Sequence, residues 1–170
     1  MKKYLVIGNP IEHSLSPQLH NYWIKINKID ATYEKRKLSE MDLEDLVFKV
    51  KKGEINGANI TVPFKNKVIP FLDILSEEAK ITQSVNTIYF DNGSVIGHNT
   101  DIEGFKTSIK KINYSVAGKR VFILGSGGVV PSIIFALGEM GASEIILSNR
   151  TKSKAENIKN LFKNIDIVSW

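Results

Sequence analysis

Arg120-Val121-Phe122-Ile123-Leu124-Gly125-Ser126-Gly127-Gly128-Val129-Val130-Pro131 is the stretch that decides the fold. Four apolar residues in five have the length of a buried strand, and three glycines in the next four residues stop it. An apolar segment of helical length then runs to Met140 and ends at Gly141. The same order repeats downstream: a strand over Glu144–Leu147, a helix over Lys152–Lys163, and the start of a third strand at Ile165. Alternating strand and helix with near-continuous apolar strands implies a parallel sheet wound by right-handed crossovers.

Glycines between a strand and a helix carry chemistry as well as geometry. Gly125 permits the tight turn, and Gly127 lets backbone N–H groups approach a pyrophosphate that the helix N-terminus also attracts. The third position of the GxGxxG pattern is Val130, a departure that requires different packing of helix on strand. Pro131 falls in the first helical turn, where N–H groups lack intrahelical acceptors. A plain strand-to-helix turn is the alternative. About 20 residues on, an NAD site places an Asp or Glu to hold the ribose 2′-hydroxyl. Here the chain reads Leu147-Ser148-Asn149-Arg150-Thr151-Lys152, with no carboxylate. Arg150 suits a 2′-phosphate, with Thr151 and Lys154 assisting, which favours NADP over NAD. Arg150 as a surface turn residue is the bland alternative.

Working back toward the N-terminus, Asn113–Gly118 is a polar break, preceded by a helix from Asp101 to about Ile112. Tyr4–Gly8 reads as a strand and Pro17–Asn27 as a helix entered through Ser16. Ala31–Leu38 reads as a strand and Ser39–Lys52 as an amphipathic helix stopped by Gly53. Gly57–Val62 is a further strand, followed by a helix near Leu75–Ile81. Val85–Phe90 and Ser94–Gly97 flank Asp91-Asn92-Gly93, a hairpin signal.

Composition bounds the class. With 42% hydrophobic and 24% charged residues, the 170-residue chain is expected to be globular, soluble and cytoplasmic. The absence of cysteine removes disulfides and thiolate metal sites. No apolar run approaches the roughly 20 residues needed to cross a bilayer. The formal charge of +5 is uneven: residues 1–104 hold 13 Lys and Arg against 14 Asp and Glu, residues 105–170 hold 10 against 4. That excess suggests an anionic partner for the last third, or lysines on solvated helix faces. No aromatic-studded basic patch supports nucleic-acid binding.

Polar residues gather at strand ends in the first part. Gly8-Asn9-Pro10-Ile11-Glu12-His13-Ser14-Leu15-Ser16-Pro17 places two hydroxyls at the mouth of a helix, suited to a small anion, although Ser16 could equally cap the helix. Gly57-Ala58-Asn59-Ile60-Thr61-Val62-Pro63-Phe64-Lys65 brings Asn59, Thr61 and Lys65 to the end of a strand. Asn59 and Thr61 share parity. Asn86 lies in Ser84-Val85-Asn86-Thr87, and Asp101 closes Gly97-His98-Asn99-Thr100-Asp101. Together these amides, hydroxyls, lysine and aspartate suit a polyhydroxylated ligand. His13, His20 and His98 have no second ligand at metal spacing and are read as structural or solvent-facing.

GNPIEHSLSP, GANITVPFK, SVNT, GHNTD and LGSGG followed by SNRT resemble, in order and spacing, the motifs of the shikimate dehydrogenase family. The resemblance covers essentially the whole chain. It implies an α/β protein with a three-layer substrate domain over residues 1–104. An incomplete Rossmann-type NADP-binding domain would follow over 105–170, with the active site in the interdomain cleft. It implies NADPH-dependent, reversible reduction of 3-dehydroshikimate to shikimate, in aromatic amino-acid biosynthesis. Carried over by position, Ser14 and Ser16 hold the substrate carboxylate, Asn59, Thr61 and Asn86 the ring hydroxyls, and Lys65 with Asp101 forms the catalytic pair. Gly125, Ser126, Gly127, Gly128 and Val129 hold the pyrophosphate. Asn149, Arg150, Thr151 and Lys154 hold the 2′-phosphate, and Glu77 matches a position associated with the cofactor.

Family members carry roughly another hundred residues, and a full Rossmann sheet has about six strands. Little activity is expected of these 170 residues alone, and a half-sheet leaves an apolar edge free to pair with another chain, a homodimer included. A quinate/shikimate dehydrogenase and a non-catalytic ligand-binding fragment are the alternatives. Retention of both Ser14 and Ser16 leans toward shikimate.

Overall fold

The apolar run behind the N-terminus forms β1 (Lys2–Gly8) in a computed structural model that describes residues 1–170. It is followed by α1 (Ser16–Ile26), β2 (Ala31–Lys37), α2 (Leu43–Lys51), β3 (Gly57–Ile60), β4 (Ile74–Leu75), α3 (Glu77–Thr82), β5 (Thr87–Asp91) and β6 (Ser94–His98). The chain divides into two units, residues 1–79 with 85–99 and residues 80–84 with 100–170.

In the first unit six strands form one sheet in the order β2-β1-β3-β5-β6-β4. β1 runs parallel to β2 and β3, β5 is antiparallel to β3 and β6, and β4 is parallel to β6. The hairpin forms where Asn-Gly predicts it, with φ of 46° at Asn92 and 84° at Gly93. Strand alternation sorts the side chains into layers. Leu5, Ile7, Ala58, Ile60, Ile88 and Val95 face α2, which buries Leu43, Leu46, Val47 and Val50 against them. On the other side Val6 and Tyr33, with Tyr4, pack with Ile11 and Ile24, the last on α1.

Three of the differences from expectation have a visible physical cause. The helix expected from Ser39 begins as a short 3-10 turn, Glu40–Asp42, closed by a Ser39–Asp42 capping box, before α2 starts at Leu43. β3 ends at Ile60 because the chain turns there, with Phe64 N–H donating to Thr61 O at 2.9 Å. β4 is too short to leave a periodic signal. It is held by Asp73, whose N–H donates to Val95 O at 3.1 Å and whose carboxylate accepts Val95 N–H at 2.8 Å. That backbone bond, with Lys51 Nζ at 3.1 Å, lowers the Asp73 pKa below the ordinary carboxylate value.

In the second unit α4 (Asp101–Lys111) leads through the polar break to β7 (Arg120–Leu124), α5 (Val130–Glu139), β8 (Glu144–Ser148), α6 (Lys152–Leu161) and β9 (Ile165–Val168). β7, β8 and β9 are parallel neighbours in that order, as expected of strands joined by helical crossovers. Val130, the departure from the glycine pattern, is 6% exposed and packs with Val116, Ile134, Leu137 and Leu147. Its side chain occupies the helix–strand interface that a glycine would leave thin. No helix is long and apolar enough to cross a membrane.

Candidate functional site

Main-chain hydrogen bonds stitch the polar motifs of the first unit together. Asn9 N–H donates to Val62 O at 3.0 Å, Thr61 N–H to Ile7 O at 2.9 Å, and Ile60 N–H to Asn86 O at 2.8 Å. Val85 N–H donates to Lys65 O at 2.8 Å and Asn86 N–H to His98 O at 3.0 Å. The GNP, NITVPFK, SVN and GH runs are distant in sequence, yet their strand ends meet because β1, β3, β5 and β6 are consecutive in the sheet. Asn9-Pro10 and Val62-Pro63 are both cis peptides.

Gly8 is the tightest point of this junction. A Cβ built there would lie 2.7 Å from the Thr61 methyl, 3.0 Å from Val62 O and 3.1 Å from Ile11 Cδ1. Val62 O also accepts the Asn9 N–H, so it cannot retreat without breaking the stitch. Gly8→Ala is therefore expected to destabilise the protein by about 1–3 kcal/mol, the range for overpacking a filled site. A thermal melt checks it; an unchanged midpoint would show that the junction is looser than the distances indicate.

Ser14 and Ser16 are both half-buried. The side chain offering an acceptor at this helix entrance is Ser14, whose Oγ accepts the Ser16 N–H at 3.3 Å, while Ser16 is itself the first helical residue. Ser16 therefore does not cap α1 with its hydroxyl, and the helix has no side-chain cap bond. Glu12 accepts the Ile11 N–H at 3.0 Å, and backbone N–H groups, aided by Lys37, hold its carboxyl below the usual carboxylate range. His13 is exposed, as expected, and His20 stacks on Tyr33 with centroids 4.1 Å apart. Burial lowers the His20 pKa, which fits a packed neutral ring.

Asn59 and Asn86 are brought together. Asn59 Oδ1 accepts from the Tyr33 hydroxyl at 2.5 Å, and its Nδ2 donates to Thr87 Oγ at 3.1 Å and Asn86 O at 3.3 Å. Thr87 Oγ in turn donates to Asn86 Oδ1 at 3.0 Å. Thr61 and Lys65 are half-buried beyond the end of β3, in the same first unit, as is Glu77, exposed at the start of α3. Asp101, the first residue of α4, belongs to the second unit. Tyr33 is a site neighbour that no motif announces, and Thr87, within the SVNT run, is one to which the sequence assigns no role. Each reads as an ordinary strand residue until the register places it beside Asn59.

In the second unit the glycine turn has the form a pyrophosphate needs. Gly125 has φ of +104°, a conformation that excludes ordinary side chains, and its N–H donates to Ser148 O at 2.7 Å. A Cβ at Gly127 would meet nothing within 4 Å, so the space above the turn is open. Ser126 is half-buried, Gly128 and Val129 are exposed, and α5 begins immediately after them. Ser84, 3% exposed, donates from Oγ to Gly128 O at 3.2 Å and anchors the turn, a role the sequence does not signal.

At the end of β8, Asn149 Nδ2 donates to Thr151 O at 2.7 Å, shaping the loop that presents Arg150. A cavity of about 350 Å³ opens there, lined by Asn149, Arg150, Lys152, Ile167, Val168, Ser169 and Trp170. Arg150, Thr151 and Lys154 are exposed, and neither Arg150 nor Lys154 is held by a carboxylate. Some other basic residues are paired: Lys152 with Glu156 at 3.6 Å and Lys106 with Glu103 and Glu139 at 2.6 and 3.0 Å. The residues present therefore fit a dinucleotide with a phosphate at this end.

Residues 6–88 match the shikimate dehydrogenase substrate binding domain. Over 169 residues the chain is 59% identical to a shikimate dehydrogenase (NADP(+)) of Pelagibacter ubique, covering 99% of this chain and 64% of that one. The crystal structure of shikimate dehydrogenase from Aquifex aeolicus superposes with a TM-score of 0.91 at 38% identity, covering 99% of this chain and 62% of that one. Shikimate 5-dehydrogenase of Thermus thermophilus, in complex with NADP(H) and shikimate, gives 0.87 at 31% identity, covering 99% and 63%. By sequence and by fold, the chain is thus similar over nearly its whole length to about three fifths of shikimate dehydrogenases, and residues 6–88 match their substrate-binding domain.

Proposed function

We propose that the chain supplies the shikimate site and the NADP-binding turn of a dehydrogenase that interconverts shikimate and 3-dehydroshikimate. The observation that carries this is that Asn59, Thr61, Lys65 and Asn86 lie at or just beyond adjacent strand ends of one sheet, joined through the bonds Thr61–Ile7, Ile60–Asn86 and Val85–Lys65. The hydroxyls of Ser14 and Ser16 suit a carboxylate, and the amides of Asn59 and Asn86 suit ring hydroxyls. The relative from Thermus thermophilus, which holds shikimate and NADP(H), supports the same choice of ligands.

Bound NADP would supply or accept the hydride. Negative charge grows on the substrate oxygen as a ketone is reduced, and an ammonium placed beside it stabilises that charge and can donate the proton. Lys65 is assigned this task, with Asp101 as its acidic counterpart by position in the GHNTD run. Gly125 to Val129 take the pyrophosphate; Asn149, Arg150, Thr151 and Lys154 take the 2′-phosphate; Glu77 is a further cofactor-side residue. A cytoplasmic location and a homodimer belong to the same proposal. A monomeric mass by sedimentation, for a chain of the relatives' full length, would remove the homodimer.

Calorimetric titration of the chain with shikimate, quinate, NADP and NAD tests the proposal. Binding of shikimate in preference to quinate, and of NADP in preference to NAD, is the expected result. Failure to bind shikimate would sink it, and stronger binding of quinate would move it to the quinate enzymes.

A further inference from the structure

We propose that Tyr33 is a positioning residue of the shikimate site, acting through Asn59 and Thr87 on Asn86; the inference rests on the shikimate reading above. Tyr33 sits on β2, opposite Tyr4 of β1, and Asn59 sits on β3 beside Val6, so the phenol reaches across β1 to the amide. Tyr33 is held at its backbone and at its ring. Asn21 brackets the Tyr33 backbone, Nδ2 donating to Tyr33 O at 2.8 Å and Oδ1 accepting Tyr33 N–H at 3.0 Å. His20 lies flat on the ring, with planes 3° apart.

The direction of each hydrogen bond makes this a relay. The Tyr33 hydroxyl donates to Asn59 Oδ1, Asn59 Nδ2 donates to Thr87 Oγ, and Thr87 Oγ donates to Asn86 Oδ1. Thr87 has one hydroxyl proton, and it is committed to Asn86. A reversed Asn59 amide would therefore set its Oδ1 against two acceptors, Thr87 Oγ and Asn86 O. Tyr33 is buried, 5% exposed as a residue, and burial pushes its phenol up to about pKa 12, so it keeps its proton throughout the ordinary pH range. Donating to Oδ1, it reinforces the orientation of Asn59 that the Asn86 O contact requires, and Thr87 links that amide to Asn86.

The relay also assigns the polarity of the contacts. Both amide hydrogens of Asn59 are spent on Asn86 O and Thr87 Oγ. Asn59 can then meet a substrate hydroxyl only as an acceptor, through the second lone pair of Oδ1. Asn86 Oδ1 accepts from Thr87 Oγ. A ligand hydroxyl at Asn59 would donate to it. A keto oxygen or an O-methyl group cannot replace it at Asn59.

The test is a double-mutant cycle on shikimate affinity by calorimetry, using the wild type, Tyr33→Phe, Thr87→Val and the double variant. Each single variant is expected to bind shikimate about tenfold more weakly, the cost of leaving a partly buried amide without its partner. The double variant is expected to be little worse than either, because both cut one relay. The Asn86 side-chain amide resonances should also move in Tyr33→Phe, although Tyr33 does not touch Asn86. Losses that simply multiply, or unchanged affinity in Tyr33→Phe, would overturn the inference. Thr87→Val leaves the buried ring intact, so it keeps the test decisive if Tyr33→Phe unfolds; unchanged affinity there overturns it too. A wild-type chain that binds no shikimate removes the functional reading itself, and the relay's role with it.

Discussion

Lys65→Ala, in a chain of the relatives' full length, is expected to slow shikimate oxidation by about 10²–10⁴-fold, the usual contribution of a positioned proton donor or acceptor. The shikimate dissociation constant should change little, because the carboxylate and hydroxyl contacts assigned to Ser14, Ser16, Asn59 and Asn86 survive. Alanine also removes the charge that would face the developing alkoxide. The loss should therefore appear in kcat and in kcat/KM together, the pattern of an interaction made in the transition state. The Val85 N–H to Lys65 O bond is made by the backbone and persists in the variant, so the strand end stays in place. Steady-state kinetics and calorimetry on the same protein decide the matter. Binding lost in proportion to turnover would reduce Lys65 to an anchor for the ligand.

Arg150→Ala is expected to weaken NADP by roughly 10- to 100-fold, the worth of a charge-assisted bond of about 1.5–3 kcal/mol. NAD, which lacks the 2′-phosphate, should bind as before. The structural reason is that no carboxylate of the chain holds Arg150, which lines the cavity at the end of β8. Its guanidinium is available to a phosphate and loses no internal partner on binding. Lys154 would keep part of the preference, since it too carries no ion pair. Competition titrations with the two nucleotides give the ratio directly. An equal loss of both would place Arg150 on the shared part of the nucleotide, and no loss would make it a surface residue.

Much of this architecture is legible in the chain itself, because the signals are local. The Leu124–Gly125 junction announces a strand, a tight turn and a helix within a dozen residues, and Asn92-Gly93 fixes a hairpin by its backbone conformation alone. What could not be read depends on register. Nothing near Tyr33 marks it as a site neighbour, and the SVNT run does not tell that Thr87 meets Asn59; both follow only when β2, β1, β3 and β5 align as Tyr33↔Tyr4↔Gly57 and Val6↔Asn59↔Thr87. Ser84 is a parallel case, since its bond to Gly128 spans 44 residues. Ser16 shows the opposite error: its position before Pro17 suggests a cap, yet the oxygen offered at that entrance comes from Ser14. β4 escapes notice because two residues held by Asp73 are too few to show periodicity.

The most direct test of the account is chemical-shift mapping of the isotope-labelled chain with shikimate added alone. The account predicts that the largest changes fall on Ser14, Ser16, Asn59, Thr61, Lys65 and Asn86, while Arg150 and the Gly125–Val129 turn stay still. Changes centred on the Arg150 cavity, or no saturable change at those six residues, would contradict it.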